Sequence, residues 1–283
     1  MITPFKANME IDWERLASMI NYVIEGGTDY IVALGTTAET PTLSKEEKRD
    51  VIRFFKQQIA GRVPLVIGAG GNNTLALTKE LQEMELDGVE AILSVTPYYN
   101  KPSQEGLYRH FEAVAKASPV PVILYNVPGR TGVNMSADTT CRLARDFDNI
   151  IAVKEASGKI DQIEQIIKNC PKDFLVLSGD DGLTVELVKR GGDGVISVAA
   201  NTFPEKFCRC VHDAMEGKIE EAEAAMQQME EPINLLFKEG NPVGVKTALY
   251  LKGVCTNTMR LPLVPGSEAL QAKLKNQIAE YEK

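Results

Sequence analysis

A lysine that closes an apolar run of strand length is the residue of this chain with the clearest chemical potential. Ile150-Ile151-Ala152-Val153 leads into Lys154, and Glu155-Ala156-Ser157-Gly158 follows. The apolar, largely β-branched run reads as a strand buried on both faces of a parallel sheet, with Lys154 at its carboxyl end. In a parallel α/β protein that end opens onto the active-site crevice or barrel mouth. A partly desolvated ammonium there tends to lose its proton, and a neutral amine is a nucleophile. The competing reading is a lysine that snorkels out of the strand end and pairs with Glu155, and the stretch alone does not separate the two.

Other apolar runs end in residues of complementary chemistry. Val122-Ile123-Leu124 is followed by Tyr125-Asn126-Val127-Pro128-Gly129-Arg130-Thr131-Gly132, a phenol at a strand end and a guanidinium in the turn after it. The phenol can relay protons, and the guanidinium can clamp a carboxylate through two parallel hydrogen bonds. Gly35-Thr36-Thr37 offers hydroxyls and closely spaced backbone N–H groups, either an anion cradle or an ordinary turn. Thr96-Pro97-Tyr98-Tyr99-Asn100-Lys101-Pro102 presents adjacent tyrosines suited to an interface or a site, and Ser178-Gly179-Asp180-Asp181 is a helix cap or a solvated turn. Gly68-Ala69-Gly70-Gly71-Asn72 lacks the last glycine and the acidic partner of a dinucleotide fingerprint. An amine, a phenol, hydroxyls and an arginine suit imine chemistry on a 2-oxo acid: the amine condenses with the ketone, and the imine serves as electron sink for an enamine that attacks an aldehyde.

The elements that must position these groups alternate. Short apolar runs at Tyr30 to Leu34, Pro64 to Ile67, Ala91 to Val95, Val122 to Tyr125, Ile150 to Lys154, Phe174 to Leu177 and Gly194 to Val198 are separated by segments of helical period, among them Asp12 to Glu25, Ser44 to Ala60, Ser103 to Ala117 and Ser136 to Arg145. Ser44 with Glu47 forms a capping-box pattern. With a further short strand at Met1 to Phe5, this predicts eight β/α units, an α/β chain folded as a (β/α)₈ TIM barrel with a C-terminal helical extension. The barrel is expected over residues 1–216 and the helical region over 217–283. Helices are expected there at Lys218 to Met229, Pro232 to about Lys252 and Glu268 to Glu280, with breaks at Gly217, Gly240-Asn241-Pro242 and Pro262 to Gly266.

A net charge of -8 over 283 residues, with no basic run interleaved with aromatics, argues against a nucleic-acid partner. No apolar run is long enough for a membrane span and no secretory signal is seen, so a cytoplasmic protein is expected. The five cysteines at 141, 170, 208, 210 and 255 read as reduced packing residues. With histidines only at 110 and 212, neither a metal site nor histidine catalysis is expected.

Taken with Lys101-Pro102-Ser103-Gln104-Glu105-Gly106 and Lys154-Glu155-Ala156, the motifs at residues 35–40, 96–106, 125–132, 154–156 and 178–181 closely resemble the 4-hydroxy-tetrahydrodipicolinate synthase family, also called dihydrodipicolinate synthase. The resemblance runs over essentially the whole chain. It implies a (β/α)₈ barrel that condenses pyruvate with aspartate 4-semialdehyde on the path to diaminopimelate and lysine, without a cofactor. It makes Lys154 the Schiff-base lysine and Tyr125 the proton donor and acceptor, with Thr36 and Tyr99 completing a relay. Thr37, Gly179 and Ile196, the last through its backbone, match the pyruvate site, and Arg130 matches the residue that receives the semialdehyde's carboxylate. Tyr99 would reach into a neighbouring subunit's site, implying a homotetramer built as a dimer of dimers, with Tyr98 and the Pro102 loop at an interface.

There are two departures. The family carries more residues ahead of the turn matched by Thr3-Pro4-Phe5. At the position where lysine-inhibited members have a glutamate this chain has Ala76, and Lys48 stands where a histidine is frequent, although Asn72 and Tyr98 match that allosteric site. Weak or absent inhibition by lysine is therefore expected. The rival readings are N-acetylneuraminate lyase or a 2-keto-3-deoxy sugar acid aldolase of the same superfamily, and a barrel that senses a small carboxylate without catalysis.

Overall fold

The computed structural model describes residues 1–281. In chain order its elements are α1 (Trp13–Glu25), β1 (Ile31–Ala33), α2 (Lys45–Ile59), β2 (Leu65–Gly68), α3 (Thr74–Glu83), β3 (Ala91–Val95), α4 (Gln104–Ala117), β4 (Val122–Asn126), α5 (Pro128–Thr131), α6 (Ala137–Asp146), β5 (Ile150–Glu155), α7 (Ile160–Asn169), β6 (Leu175–Ser178), α8 (Thr184–Lys189), β7 (Gly194–Val195), α9 (Pro204–Met215), α10 (Ile219–Phe237), α11 (Val243–Leu251) and α12 (Glu268–Tyr281). They group into two compact units, one comprising Met1–Pro64 with the chain from Ser197 onward, the other Leu65–Ile196.

The second unit is a run of βαβ crossovers. Strands β2 to β7 pair in sequence order, all parallel. Parallel strands covered on both faces need apolar residues throughout, and β4, Val-Ile-Leu-Tyr-Asn, is buried at every position. The helix starts follow local capping chemistry: Ser103 Oγ accepts from Gly106 N at 3.2 Å and Ser136 Oγ from Thr139 N at 3.3 Å. Pairing sets the register that matters for function, because it places Tyr125 opposite Lys154 and Asn126 opposite Glu155 on β4 and β5.

The first unit holds α1, β1, α2 and α9 to α12. The Ser44–Glu47 capping box forms as expected, with Ser44 N donating to Glu47 Oε2 at 2.9 Å and Glu47 N to Ser44 Oγ at 3.1 Å. The strand expected at Met1 to Phe5 does not form, and Phe5 makes only an isolated antiparallel bridge with Ile11. Pro4 has no N–H to give to a ladder, and the backbone donors before it are taken elsewhere, Met1 by Val32 O at 2.7 Å and Ile2 by Asn201 Oδ1 at 3.1 Å. The break expected before Pro232 is also absent. Helix α10 runs through this buried proline, packed by α9, α11 and α12, which hold the turn that lacks one backbone hydrogen bond. The break at Gly240-Asn241-Pro242 is present.

Two of the five cysteines are not reduced. Cys141 on α6 and Cys170 at the end of α7 form a disulfide, their Cα atoms 4.7 Å apart. The two helices are neighbours in the fold although the cysteines are 29 residues apart in sequence. Cys208, Cys210 and Cys255 are buried thiols, and burial pushes Cys210 and Cys255 up to about 11. Among the described residues no cluster of three or more His, Cys, Asp or Glu could hold a metal ion, and no helix is long and apolar enough to cross a membrane.

Candidate active site

In the second unit, the end of β5 carries Lys154, 8% exposed, and the end of β4 carries Tyr125, 7% exposed. Register sets them side by side, and the Lys154 Nζ lies 4.4 Å from the centroid of the Tyr125 ring. Side chains alternate along a strand, so Glu155 points to the other face. Its carboxylate accepts from Ser157 N at 2.8 Å, from Asn126 Nδ2 at 3.0 and 3.1 Å, and from Gln162 Nε2 at 3.1 Å. This disposes of a surface Lys154 paired with Glu155: the lysine is buried and its neighbour is engaged elsewhere.

Gly179 belongs to the same cluster. Its N–H donates to Glu155 O at 2.8 Å, and a Cβ at this position would meet Ala156 Cβ at 2.6 Å and Lys154 Cε at 3.1 Å. Only glycine lets the loop after β6 lie against the lysine stem. Ile196 continues from β7, its N–H donating to Ser178 O at 2.9 Å and its side chain buried.

Arg130 sits exposed on the single-turn helix α5. That turn is braced from within by Thr131, whose Oγ1 approaches Val127 O at 3.2 Å and Val133 O at 3.0 Å, and from the loop after β3 by Thr96 Oγ1 at 3.3 Å. Tyr99 is 85% exposed in a left-handed backbone conformation, φ 71°. Of the residues matched to an allosteric site, Asn72 and Tyr98 come together, Asn72 Nδ2 donating to Tyr98 O at 3.1 Å. Lys48 lies on α2 of the first unit.

Thr36 and Thr37 form a 3₁₀ turn, Thr36–Ala38, in the first unit. Thr37 is buried, and Asn241 Nδ2 donates to its Oγ1 at 2.9 Å. Just beyond, Glu39 adopts φ 55° and is 2% exposed, its carboxylate met by Lys246 Nζ at 2.6 Å and by Arg260 N at 3.1 Å. Lys246 is wholly buried on α11, with its Nζ 4.3 Å from the Phe5 ring centroid, and burial pushes its ammonium below the usual lysine range against the pull of Glu39. The sequence reading passed over Asn241 and the Glu39–Lys246 pair. The available signal was a lone lysine inside the apolar helix Val243-Gly244-Val245-Lys246-Thr247-Ala248-Leu249.

A buried amine beside a phenol at adjoining ends of a parallel sheet defines a class of α/β protein equipped for covalent amine chemistry. Within that class the chain belongs to the dihydrodipicolinate synthetase family, whose model matches residues 1–281. It is 50% identical over 280 residues to the 4-hydroxy-tetrahydrodipicolinate synthase of Parabacteroides distasonis, covering 99% of this chain and 94% of that one. Among solved structures it superposes on dihydrodipicolinate synthase from Thermotoga maritima with a TM-score of 0.97 at 38% identity, covering 100% of this chain and 96% of that one. It superposes equally fully on the Acinetobacter baumannii enzyme complexed with pyruvate, with a TM-score of 0.96, 39% identity, and 100% and 97% of the two chains covered. The resemblance drawn from the strand-end motifs is thereby borne out.

Proposed function

We infer that this chain condenses pyruvate with L-aspartate 4-semialdehyde through a Schiff base on Lys154 to give 4-hydroxy-tetrahydrodipicolinate, on the path to diaminopimelate and lysine. The observation that carries the reading is the Lys154 amine, buried and 4.4 Å from the ring of its register partner Tyr125. As the neutral amine, Lys154 adds to the pyruvate ketone, and loss of water leaves a protonated imine. Removal of a methyl proton gives an enamine, whose carbon attacks the aldehyde. The substrate's own amino group then displaces Lys154 and closes the ring.

Tyr125 moves the protons of these steps, with Thr36 and Tyr99 as its relay. Thr37, Gly179 and the Ile196 backbone hold pyruvate, and Arg130 takes the carboxylate of the semialdehyde in a two-pronged hydrogen bond. The exposure of Tyr99 fits a residue that completes its site against a second copy, in a dimer that pairs into a homotetramer. The same reading takes the chain as a (β/α)₈ barrel over 1–216 with a helical region over 217–283, working in the cytoplasm; the full-length superposition on family structures supports the barrel. Ala76 stands where lysine-inhibited members of the family have a glutamate, and Lys48 where a histidine is frequent, so inhibition by lysine is weak or absent. A submillimolar inhibition constant would overturn that point.

Borohydride reduction in the presence of pyruvate tests the central claim. A pyruvate-derived mass is expected on the peptide containing Lys154, together with product formation when the semialdehyde is added. No adduct would leave a carboxylate-binding barrel, and turnover of N-acetylneuraminate in place of the semialdehyde would move the chain to the sugar-acid aldolases.

A further inference from the structure

Glu155 is 1% exposed and takes every hydrogen bond described above from a neutral donor: the Asn126 and Gln162 amides and the Ser157 backbone. A buried charge without a counter-ion is costly even when fully hydrogen-bonded, so overall stability is a poor reason for a carboxylate at this position. Its place in the sheet offers another. Asn126 Oδ1 accepts from Met135 N at 2.9 Å, while Gln162 Nε2 donates to Met135 O at 3.1 Å and Asn134 Nδ2 to Gln162 Oε1 at 2.8 Å. The carboxylate thus ties together the ends of β4 and β5, the first turn of α7, and the segment that leaves the helix carrying Arg130. Through its backbone oxygen Glu155 also receives Gly179 N.

We propose that Glu155 is a positioning residue, whose carboxylate holds Lys154, Tyr125 and the Arg130 turn in one register by accepting hydrogen bonds on the face of the sheet opposite to the chemistry. The proposal rests on the imine reading given above. An acceptor-only group is required because every neighbour aims a donor at it. A glutamine would turn its own N–H₂ against the Ser157 N–H or against one of the two amides, and the network would have to part. The shorter aspartate keeps the acceptors and reaches only some of the donors.

The test is steady-state kinetics of the full-length Glu155→Gln and Glu155→Asp variants with pyruvate and aspartate semialdehyde, alongside melting temperature and borohydride trapping. Glu155→Gln is expected to fold with a melting temperature near that of the wild type and to lose roughly a hundredfold in kcat, the scale of a misplacement of about 1 Å between reacting groups. The KM for pyruvate should move far less than kcat, and Glu155→Asp should recover part of the loss. A folded Glu155→Gln enzyme with wild-type kcat overturns the proposal. If that variant does not fold, Gln162→Met removes one donor while leaving the carboxylate, and must lower kcat without lowering the melting temperature for the proposal to survive. If the wild type itself traps no pyruvate, the imine reading fails, and the clamp is judged by a crystal structure of Glu155→Gln. Departure of Lys154 Nζ from the Tyr125 ring supports it, and retention of the 4.4 Å contact refutes it.

Discussion

Each of the two units buries a glutamate beside residues assigned to the chemistry, and the two are satisfied in opposite ways. Glu39, two residues after Thr37, meets the ammonium of Lys246 at 2.6 Å. Glu155, one residue after Lys154, meets only amides and a backbone N–H. An ion pair buried on both sides leaves a bare charge if either partner is lost, so the Glu39 node is bound up with stability. A carboxylate cradled by neutral donors loses geometry before it loses stability when it is replaced by its amide. The residue that ends the Thr36–Ala38 turn is thus held by charge, and the Lys154–Tyr125 pair by the direction of hydrogen bonds.

The largest effects should come from the proposed reacting pair, Lys154 and Tyr125. Lys154→Ala is expected to fold normally and lose nearly all turnover and all pyruvate trapping. Lys154→Arg should be no better, since a permanently charged guanidinium forms no imine. Tyr125→Phe keeps the ring beside the Lys154 nitrogen and removes the proton relay, lowering kcat by about 10²–10⁴-fold. If Tyr125→Phe turns over at the wild-type rate, the contrast between a chemical pair and the Glu155 network behind it collapses.

The Glu39 node should respond in stability. Lys246→Met leaves a buried carboxylate facing only the Arg260 N–H, and a loss of about 3–5 kcal/mol is expected in urea unfolding. Adding Glu39→Gln to that variant removes the stranded charge and should restore part of the loss. Equal effects of Lys246→Met and Glu155→Gln on unfolding would erase the distinction between the two carboxylates.

Much of the fold was legible because its causes are local. Ser44 with Glu47, Asp12, Ser103 and Ser136 each cap a helix within three residues of themselves, and the apolar runs of β2 to β6 are bounded by turn chemistry. Lys154, Tyr125 and Gly179 were legible as strand-end residues for the same reason. What was not legible depends on partners far along the chain. Met1 to Phe5 reads as a strand until Val32 and Asn201 take its donors, Pro232 reads as the start of a new helix although α10 runs through it, and Cys141 meets Cys170 only because α6 and α7 are neighbours. Glu39 was read as part of a turn motif, and its counter-ion lies 207 residues away.

The smallest expected effect separates the units by pH. His110 on α4 of the second unit is 4% exposed, its Nδ1 lies 2.9 Å from Thr74 Oγ1, and its Nε2 is buried without a hydrogen-bond partner among the described residues. A protonated ring would carry an Nε2–H with no acceptor, and burial pushes its pKa from 6.5 down to about 4. The unfolded chain then binds this proton more readily, so the contribution is complete above pH 6.5 and is lost as the pH falls through the window down to about 4. By pH 5 roughly 2 kcal/mol of stability should have gone from this group alone. His110→Gln keeps a partner for Thr74 and cannot titrate, so its urea midpoint should fall less between pH 7 and pH 5 than that of the wild type. An identical fall in both would place the acid sensitivity in carboxylates such as Glu47, which Arg260 holds below the usual range in the first unit, and would reverse which of the two units yields first to acid.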